Sequence, residues 1–501
     1  MHTALLLDMV ADAVPDRLAF GRKTEGLTFT EARRRAHRGA QWLAERGGEN
    51  VAFIGLNGVA LPLAVFAAGM LAKPFAPLNY RSPDADLKKL LARTAPSVAI
   101  IDDDMLARLG DIDGVKIVSR SAFEAACNAP GEGIPEFDGE HDIAVLLFTS
   151  GTTGEPKAAI LRHANLTSYV ISTVDFMGAD EEDAALVSVP PYHIAGISAI
   201  LTNAYGGRRI VHIEAFTPET WVEVAAKEGI THAMVVPTML GRVLDVLESR
   251  KETLPKLKAL SYGGGRMPQV VIERAMRLMP HLDFVNAYGL TETSSTVAML
   301  SPDDHREAMA SSDEKVRRRL GSVGRPLPTL ELEIRDPDGK VVGPGVSGEI
   351  YVRGEQVSGE YKHKKVTDSE GWFATNDGGW MDDEGYLFVE GRLDDVIVRG
   401  GENISPGEIE DVLREHPAVA DVAVLGLPDD EWGERVACAL VVRGARPATE
   451  DLAAFVKSKL KSTKTPDVWE FREALPYNET GKLLRRQLKV EMTPHKSVTA
   501  S

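Results

Sequence analysis

Cysteine is almost absent. The chain of 501 residues carries two, Cys127 and Cys438, far apart and without metal-ligand spacing, which excludes a disulfide scaffold and a zinc module. Long apolar runs are missing as well. The longest, Leu61 to Ala72, is closed by Lys73-Pro74 and falls well short of the ~20 residues that span a bilayer, so no transmembrane segment is expected. The opening stretch MHTALLLDMVADAVPD lacks a basic region and meets acidic residues at once, so it does not read as a signal peptide. The final Thr-Ala-Ser carries no address signal, and a cytoplasmic location is expected. Positive charge is also in short supply, with 57 Lys and Arg against 74 Asp and Glu and a net charge of −17. Such a chain repels phosphate backbones at long range, which argues against a nucleic-acid or anionic-membrane binder. Small phosphorylated ligands held by local geometry stay open. No fixed-period repeat or low-complexity tract is present.

What is there is ordinary for a soluble globular chain: 44% hydrophobic and 26% charged residues. The length exceeds the ~250–300 residues at which one core stops growing, so at least two domains are expected. Over the first 391 residues short apolar runs alternate with amphipathic stretches, the pattern of an α/β architecture. VAFIGL (51–56), SVAIID (97–102), DIAVLLFTS (142–150) and HAMVVPT (232–238) read as buried strands. TFTEARRRAHRGAQWLAERG (28–47) and TPETWVEVAAKEG (217–229) read as helices. The pattern changes near 391–401, and a compact run in the order helix, strand, strand, helix, strand follows, a small α+β module. Ser405-Pro406-Gly407-Glu408 is its first helix start, with Ser as N-cap, Pro at N1 and Glu placed for a capping box. Residues 451–501 hold ten Lys or Arg against six Asp or Glu. A solvated surface is the simpler reading; a face toward a polyanionic ligand is the other.

The strongest local signal is Phe148-Thr149-Ser150-Gly151-Thr152-Thr153-Gly154-Glu155-Pro156-Lys157, between an expected strand and an expected helix. Glycines let backbone N–H groups approach an anion, hydroxyls donate, and an ammonium neutralises charge, as a phosphate cradle requires. The Walker spacing is absent, and a plain turn is an equal alternative for this segment alone. Asn286 to Thr293 offers an aromatic ring, a hydroxyl and a carboxylate, and Glu292 suits Mg²⁺, which prefers oxygen ligands and substrate phosphates. Thr375-Asn376-Asp377 offers a carboxylate for two ribose hydroxyls, Arg392 and Asp394-Asp395 sit at the junction, and Lys482 lies in a polar turn, Asn478 to Lys482. Each taken singly reads as a solvated loop residue.

Taken in this order, TSGTTGEPK, YGLTET, GRLDDVIVRGGENISPGEIE and NETGK resemble the adenylate-forming superfamily of acyl-CoA synthetases, nonribosomal-peptide adenylation domains and luciferases, from about residue 25 to about 488. The resemblance implies a large N-terminal α/β domain of adenylate-forming type (1–391), a hinge (392–395) at Asp394, and a small mobile α+β C-terminal domain (396–501). It implies a two-step reaction with ATP, Mg²⁺ and coenzyme A. A carboxylate attacks the α-phosphorus to give an acyl adenylate and pyrophosphate, and a thiol then displaces AMP. By the family pattern Thr149, Ser150, Gly151, Thr152, Thr153, Gly154 and Lys157 cradle pyrophosphate. Tyr288 stacks on adenine beside Gly289, Thr291 meets the α-phosphate, Glu292 binds Mg²⁺, and Asp377 and Arg392 hold ribose. Lys482 reaches the carboxylate in the first step only, and Arg399, Gly400 and Gly401 approach with coenzyme A in the second. Lys482, Glu292, Thr149 and His193 are the candidate catalytic residues. Ala158 and Asn376 stand where the family often has Gly; neither removes a catalytic group.

For the acid, Pro190 to Gly196 resembles the segment that borders the acyl pocket. No acidic residue lies between Val187 and His212, which disfavours an amino acid. His193 either touches the carboxylate or gate, or packs under the nucleotide. Val235 to Met239 and Tyr262 to Met267, with Val236, Met239, Gly263, Gly264 and Arg266, are expected to complete a largely apolar wall. Arg266 either pairs with a second substrate carboxylate or turns outward or toward Glu273, the latter being favoured. The leading expectation is an acyl-CoA synthetase for a medium- or long-chain fatty acid or a similar hydrophobic carboxylate, in lipid metabolism. The alternatives are a ligase passing acyl adenylate to a carrier protein, a dicarboxylate or aromatic-acid CoA ligase, and a non-catalytic nucleotide binder. No carrier module is fused to the chain, a stand-alone ligase is expected, and a homodimer stays open.

Overall fold

The computed structural model describes residues 1–133, 142–149, 156–362, 364–429, 431–478 and 483–493. Among these residues two large sheets carry the α/β part. In the eight-stranded one, Asn50–Ile54 runs parallel between Phe75–Pro77 and Ser97–Ile101, and the hairpin of Ile143–Thr149 with Lys157–Arg162 extends it. The nine-stranded sheet has a parallel centre of Arg209–His212, Ala184–Val187, His232–Val235, Ala259–Gly263 and Asp283–Leu290. Parallel strands covered on both faces are apolar throughout, and Ser97–Ile101 and Ala184–Val187 are buried at every position.

Between the sheets lies the helix Ala60–Met70, also buried at every position. It joins Phe53 and Ile100 of one sheet to Phe20 and Ile210 of the other in a single core. A helix apolar on all sides must be covered on all sides, which is the physical use of the Leu61–Ala72 run. The helix Phe29–Ala44 starts where its sequence says it should. Thr28 Oγ1 accepts from Glu31 N–H at 3.2 Å and Glu31 Oε2 accepts from Thr28 N–H at 2.9 Å, a complete capping box. The strand expected over 232–238 stops at Val235, because Pro237 opens the helix Pro237–Arg250 at a position that has no use for an N–H.

A third sheet is antiparallel: Glu331–Arg335, Gly348–Arg353, Phe373–Met381 and Leu387–Arg392. Its last pair sets Asp377 opposite Arg392. From Ile397 onward the chain builds its own five-stranded sheet and its own core, with Ile397, Leu413, Val424, Val436 and Val456. Helix Pro406–Arg414, strands Val419–Asp429 and Gly433–Val442, helix Thr449–Lys459 and strand Val468–Phe471 follow the expected order. One expectation fails. Ser405 is the N-cap and Pro406 is N1, but no capping box forms. Ser405 Oγ donates to the Glu390 carbonyl at 3.0 Å and Glu408 pairs with Lys464 instead, because tertiary partners outcompete a local cap worth ~1 kcal/mol. The basic C-terminal stretch is likewise paired internally: Lys459 with Glu415, Arg472 with Glu470 and Glu491, Lys489 with Glu434. Among the described residues no helix is long and apolar enough to cross a membrane.

Candidate active site

The carboxyl end of Asp283–Leu290 is where the nine-stranded sheet changes from parallel to antiparallel pairing, with Ser295–Leu300 running back beside it. Ligands of open α/β sheets gather at such carboxyl ends. The register shifts between Tyr288 and Gly289. A Cβ on Gly289 would lie 1.7 Å from the Ser295 carbonyl oxygen, so glycine is required for the strands to close there. The bulge aims Tyr288 at the third sheet. Its hydroxyl donates to Asp377 Oδ2 at 2.6 Å, while Arg392 Nε lies 3.1 Å from Asp377 Oδ1 and Arg392 Nη1 donates to the Thr375 carbonyl at 2.8 Å. Burial first, then the Asp377 charge, pushes the Tyr288 phenol well above its ordinary value, so the proton stays on the hydroxyl.

Asn376, between these residues, has φ of 59°. Asn tolerates this left-handed conformation better than most side chains, so it stands in the irregular stretch of the strand Phe373–Met381 without breaking it. Its side-chain amide donates to Asp394 Oδ2 at 2.9 Å, tying the expected hinge to the expected ribose strand. Thr291 and Glu292 share a short 3-10 turn just past the bulge. The Glu292 carbonyl accepts from Ser358 N–H at 2.9 Å and Gly359 N–H at 3.2 Å, and its buried carboxylate accepts from the Tyr361 hydroxyl. Burial and that carboxylate push the Tyr361 phenol up. Motif reading missed Tyr361. It comes to Glu292 because its short strand pairs with Ala159, a long-range contact with no local signature.

Thr149 and Lys157 face each other at the end of their hairpin, where Thr149 Oγ1 donates to the Lys157 carbonyl at 3.4 Å. Ser150, Gly151, Thr152, Thr153 and Gly154 lie outside the described residues, as does Lys482. The loop expected to meet coenzyme A makes its contacts within the C-terminal part. Arg399 pairs with Asp467 at 3.0 Å and donates to the Thr463 carbonyl at 3.0 Å, and Gly400 N–H donates to the Trp432 carbonyl at 2.8 Å. Gly401, at φ of 83°, has open space where a Cβ would be.

A cavity of about 380 Å³ opens between the two parts of the chain. Tyr477 and Asn478, a few positions before Lys482 in the chain, close one side, and Tyr80, Phe216 and Met239 line another. Arg81 lies over Tyr80 at 5.3 Å and Arg242 over Phe216 at 5.6 Å. Asn57 also lines it, 3% exposed, with its amide nitrogen on the carbonyls of Val189 and Ile213 and its Oδ1 without a hydrogen-bond partner among the described residues. Glu214 is in the wall too, just beyond the window in which acids were sought. Its signal was its place after the strand Arg209–His212, at another carboxyl end.

Several residues expected at the acyl pocket do not line this cavity. Tyr262 is fully buried, its hydroxyl 2.7 Å from His305 Nε2, and Val235 packs in the core between sheet and helices. Val236 caps Pro237–Arg250 from inside that core. Gly263 and Gly264 follow, and a Cβ on Gly263 would lie 2.2 Å from the Ala287 carbonyl oxygen. His193 lies tilted against Tyr192 at 4.8 Å, and Tyr192 in turn meets the edge of Tyr80, a lining residue, at 5.8 Å, so His193 itself does not line the cavity. Arg266 pairs neither with Glu273 nor into this cavity. Its partner is Asp411, on the helix Pro406–Arg414. Glu273 is held by Arg317, Arg277 and Gln269.

Residues 7–362 match the model of the AMP-binding enzyme family and residues 408–482 that of the AMP-binding enzyme C-terminal domain. The chain is 33% identical over 485 residues to a 2-succinylbenzoate–CoA ligase of Bacillus cereus, covering 95% of each. It superposes on the o-succinylbenzoate CoA synthetase of Bacillus subtilis in complex with its acyl-adenylate intermediate, with a TM-score of 0.84, 29% identity and 97% of each chain covered. The same enzyme with ATP and magnesium gives a TM-score of 0.83 at 29% identity, covering 97% of this chain and 99% of that one. The acid in these names is an aromatic dicarboxylate, and the fatty-acid expectation finds no support in them. With Tyr288, Asp377 and Arg392 gathered at the bulge and both family models matched in order, the chain belongs to the AMP-binding enzymes and has the adenylate-forming fold of an AMP-forming acid–thiol ligase.

Proposed function

We propose that this chain activates an aromatic dicarboxylic acid of the 2-succinylbenzoate type with ATP and transfers it to coenzyme A. The observation that carries the acid is the match to 2-succinylbenzoate–CoA ligases along nearly the whole chain. In the first step the ribose hydroxyls take Asp377, the adenine lies on Tyr288, and Arg392 fixes the carboxylate from its other side. The loop from Thr149 to Lys157 receives pyrophosphate as the substrate carboxylate oxygen bonds to the α-phosphorus. Lys482 neutralises charge between the two anions, a positioning and electrostatic task that needs no covalent enzyme intermediate. Mg²⁺ fits the buried carboxylate of Glu292, since this ion takes one or two protein carboxylates and completes its shell with phosphate and water. When bound it neutralises the phosphates.

In the second step the thiol gives its proton to water, its sulfur bonds to the acyl carbon as the acyl C–O bond to the phosphate breaks, and AMP leaves with those bonding electrons. The cavity suits coenzyme A. Arg81 and Arg242 supply charge for its phosphates. Tyr477 and Asn478 stand in that cavity while Arg399 to Gly401 stay within the C-terminal part. The arrangement supports the first-step conformer, with rotation about Asp394 needed for the second. One site then serves two steps through a gating motion.

The test is a panel of acids, 2-succinylbenzoate, benzoate, hexanoate and palmitate, read by pyrophosphate release and by CoA-thioester formation in the same incubations. Thioester formed best from 2-succinylbenzoate supports the reading. Best turnover of palmitate, or adenylate that accumulates while coenzyme A is ignored, overturns it.

A further inference from the structure

Arg266 leaves the carboxyl end of the strand Ala259–Gly263 after a Gly264-Gly265 turn, yet its guanidinium reaches across to the C-terminal part and pairs with Asp411. It packs so tightly on the helix Pro406–Arg414 that a Cβ on Gly407 would lie 2.6 Å from Arg266 Nη1. From Asp411 the charges alternate inward. Asp411 Oδ1 is 3.4 Å from Arg414 Nη1, Arg414 Nη2 is 3.5 Å from Glu410 Oε2, and Glu410 Oε1 is 2.6 Å from Arg485 Nη1. Arg485 Nε lies 3.6 Å from Asp395 Oδ2, beside the hinge.

Arg485 opens the helix Arg485–Met492 shortly after Lys482 in the chain and also donates to the Val424 carbonyl at 2.6 Å. On the N-terminal side of Lys482 the Tyr477 hydroxyl donates to Asp421 Oδ2 at 2.9 Å. Both ends of the Lys482 segment are therefore anchored to the body that Arg266 grips through Asp411. Glu410 is 4% exposed, so the inner links are fixed. The Arg266 and Asp411 side chains are 39% and 35% exposed, so the outer link is the one that opens cheaply.

We propose that Arg266 is a positioning residue for the adenylation step: its ion pair with Asp411 latches the C-terminal part in the orientation that presents the Lys482 segment, and it must break before the thiol step. The latch rests on the two-conformer reading above. A half-exposed pair suits the task, since a buried one would hold the first conformer too long. After release Asp411 keeps Arg414 and Arg266 faces water, so neither charge is stranded.

The experiment compares wild type with Arg266→Gln, Asp411→Asn, the double variant and Gly407→Ala, which evicts the guanidinium without changing charge. Adenylation is read by acid-dependent ATP–pyrophosphate exchange, and thioesterification by conversion of a supplied acyl adenylate. Exposed pairs are worth about two- to fivefold. Each variant is expected to lose that factor in exchange while keeping or gaining thioesterification, and the double variant is expected to match the singles. Equal losses in both half-reactions overturn the latch. So does a raised KM for the dicarboxylate in Arg266→Gln with Asp411→Asn unchanged, which assigns Arg266 to the substrate instead. Spin labels at Lys88→Cys and Lys457→Cys, both exposed positions, read the orientation without any substrate. Wild type is expected to show one dominant distance and Arg266→Gln a second population; identical distributions overturn the latch. A wild type that forms adenylate but no CoA thioester overturns the proposed function while these distances still test the latch.

Discussion

Replacing Asp377 by Asn tests the nucleotide site most directly. The carboxylate is 7% exposed and held from two sides, Tyr288 at 2.6 Å and Arg392 at 3.1 Å. Asn keeps the shape and one acceptor but removes the charge. A hydrogen bond to a charged group contributes ~1.5–3 kcal/mol, so losing the charge-assisted bonds to ribose corresponds to about 10- to 150-fold weaker ATP binding. Tyr288→Phe is the control. It keeps the ring that faces adenine and removes a hydroxyl that competes with ribose for Oδ2, so its effect on ATP affinity is expected to stay within about threefold. Titration calorimetry with α,β-methylene-ATP avoids turnover, because the bond broken in adenylation is the one the methylene replaces. Asp377→Asn binding within threefold of wild type would refute the ribose assignment.

Lys482→Ala is expected to abolish pyrophosphate exchange and spare conversion of supplied acyl adenylate; equal losses in both assays would refute a first-step role. Arg209 and Glu228 form a pair 5% and 6% exposed at 2.9 Å, with Arg209 Nη2 also donating to the Glu228 carbonyl at 2.7 Å. Arg209→Met strands a buried carboxylate and is expected to cost ~3–5 kcal/mol by urea denaturation, and a loss below ~1 kcal/mol would refute this. Burial holds His163 down at about 3 and His212, His232 and His305 at about 4, against an ordinary 6.5. The unfolded chain then binds more protons between pH 4 and 6.5, so stability is full above pH 6.5 and declines as pH falls toward 4. Equal urea midpoints at about pH 7.5 and 5 would contradict that linkage.

The amino-acid sequence by itself determined the elements whose causes are local. Thr28 and Glu31 sit three positions apart and cap their own helix. The all-apolar Ala60–Met70 turns can be stable only inside, and Pro237 ends a strand and starts a helix within two residues. The nucleotide motifs were legible for the same reason, since glycines and hydroxyls act on the backbone beside them. Tertiary structure alone decided the pairings. Tyr361 meets Glu292 from 69 positions away, and Tyr288 meets Asp377 from 89. Ser405 gave up its cap for the Glu390 carbonyl, and Arg266 found Asp411 rather than Glu273. Charges and hydroxyls of similar strength are plentiful along the chain, so the winning partner is set by which surfaces the core brings together, and periodicity and motif carry no record of that choice.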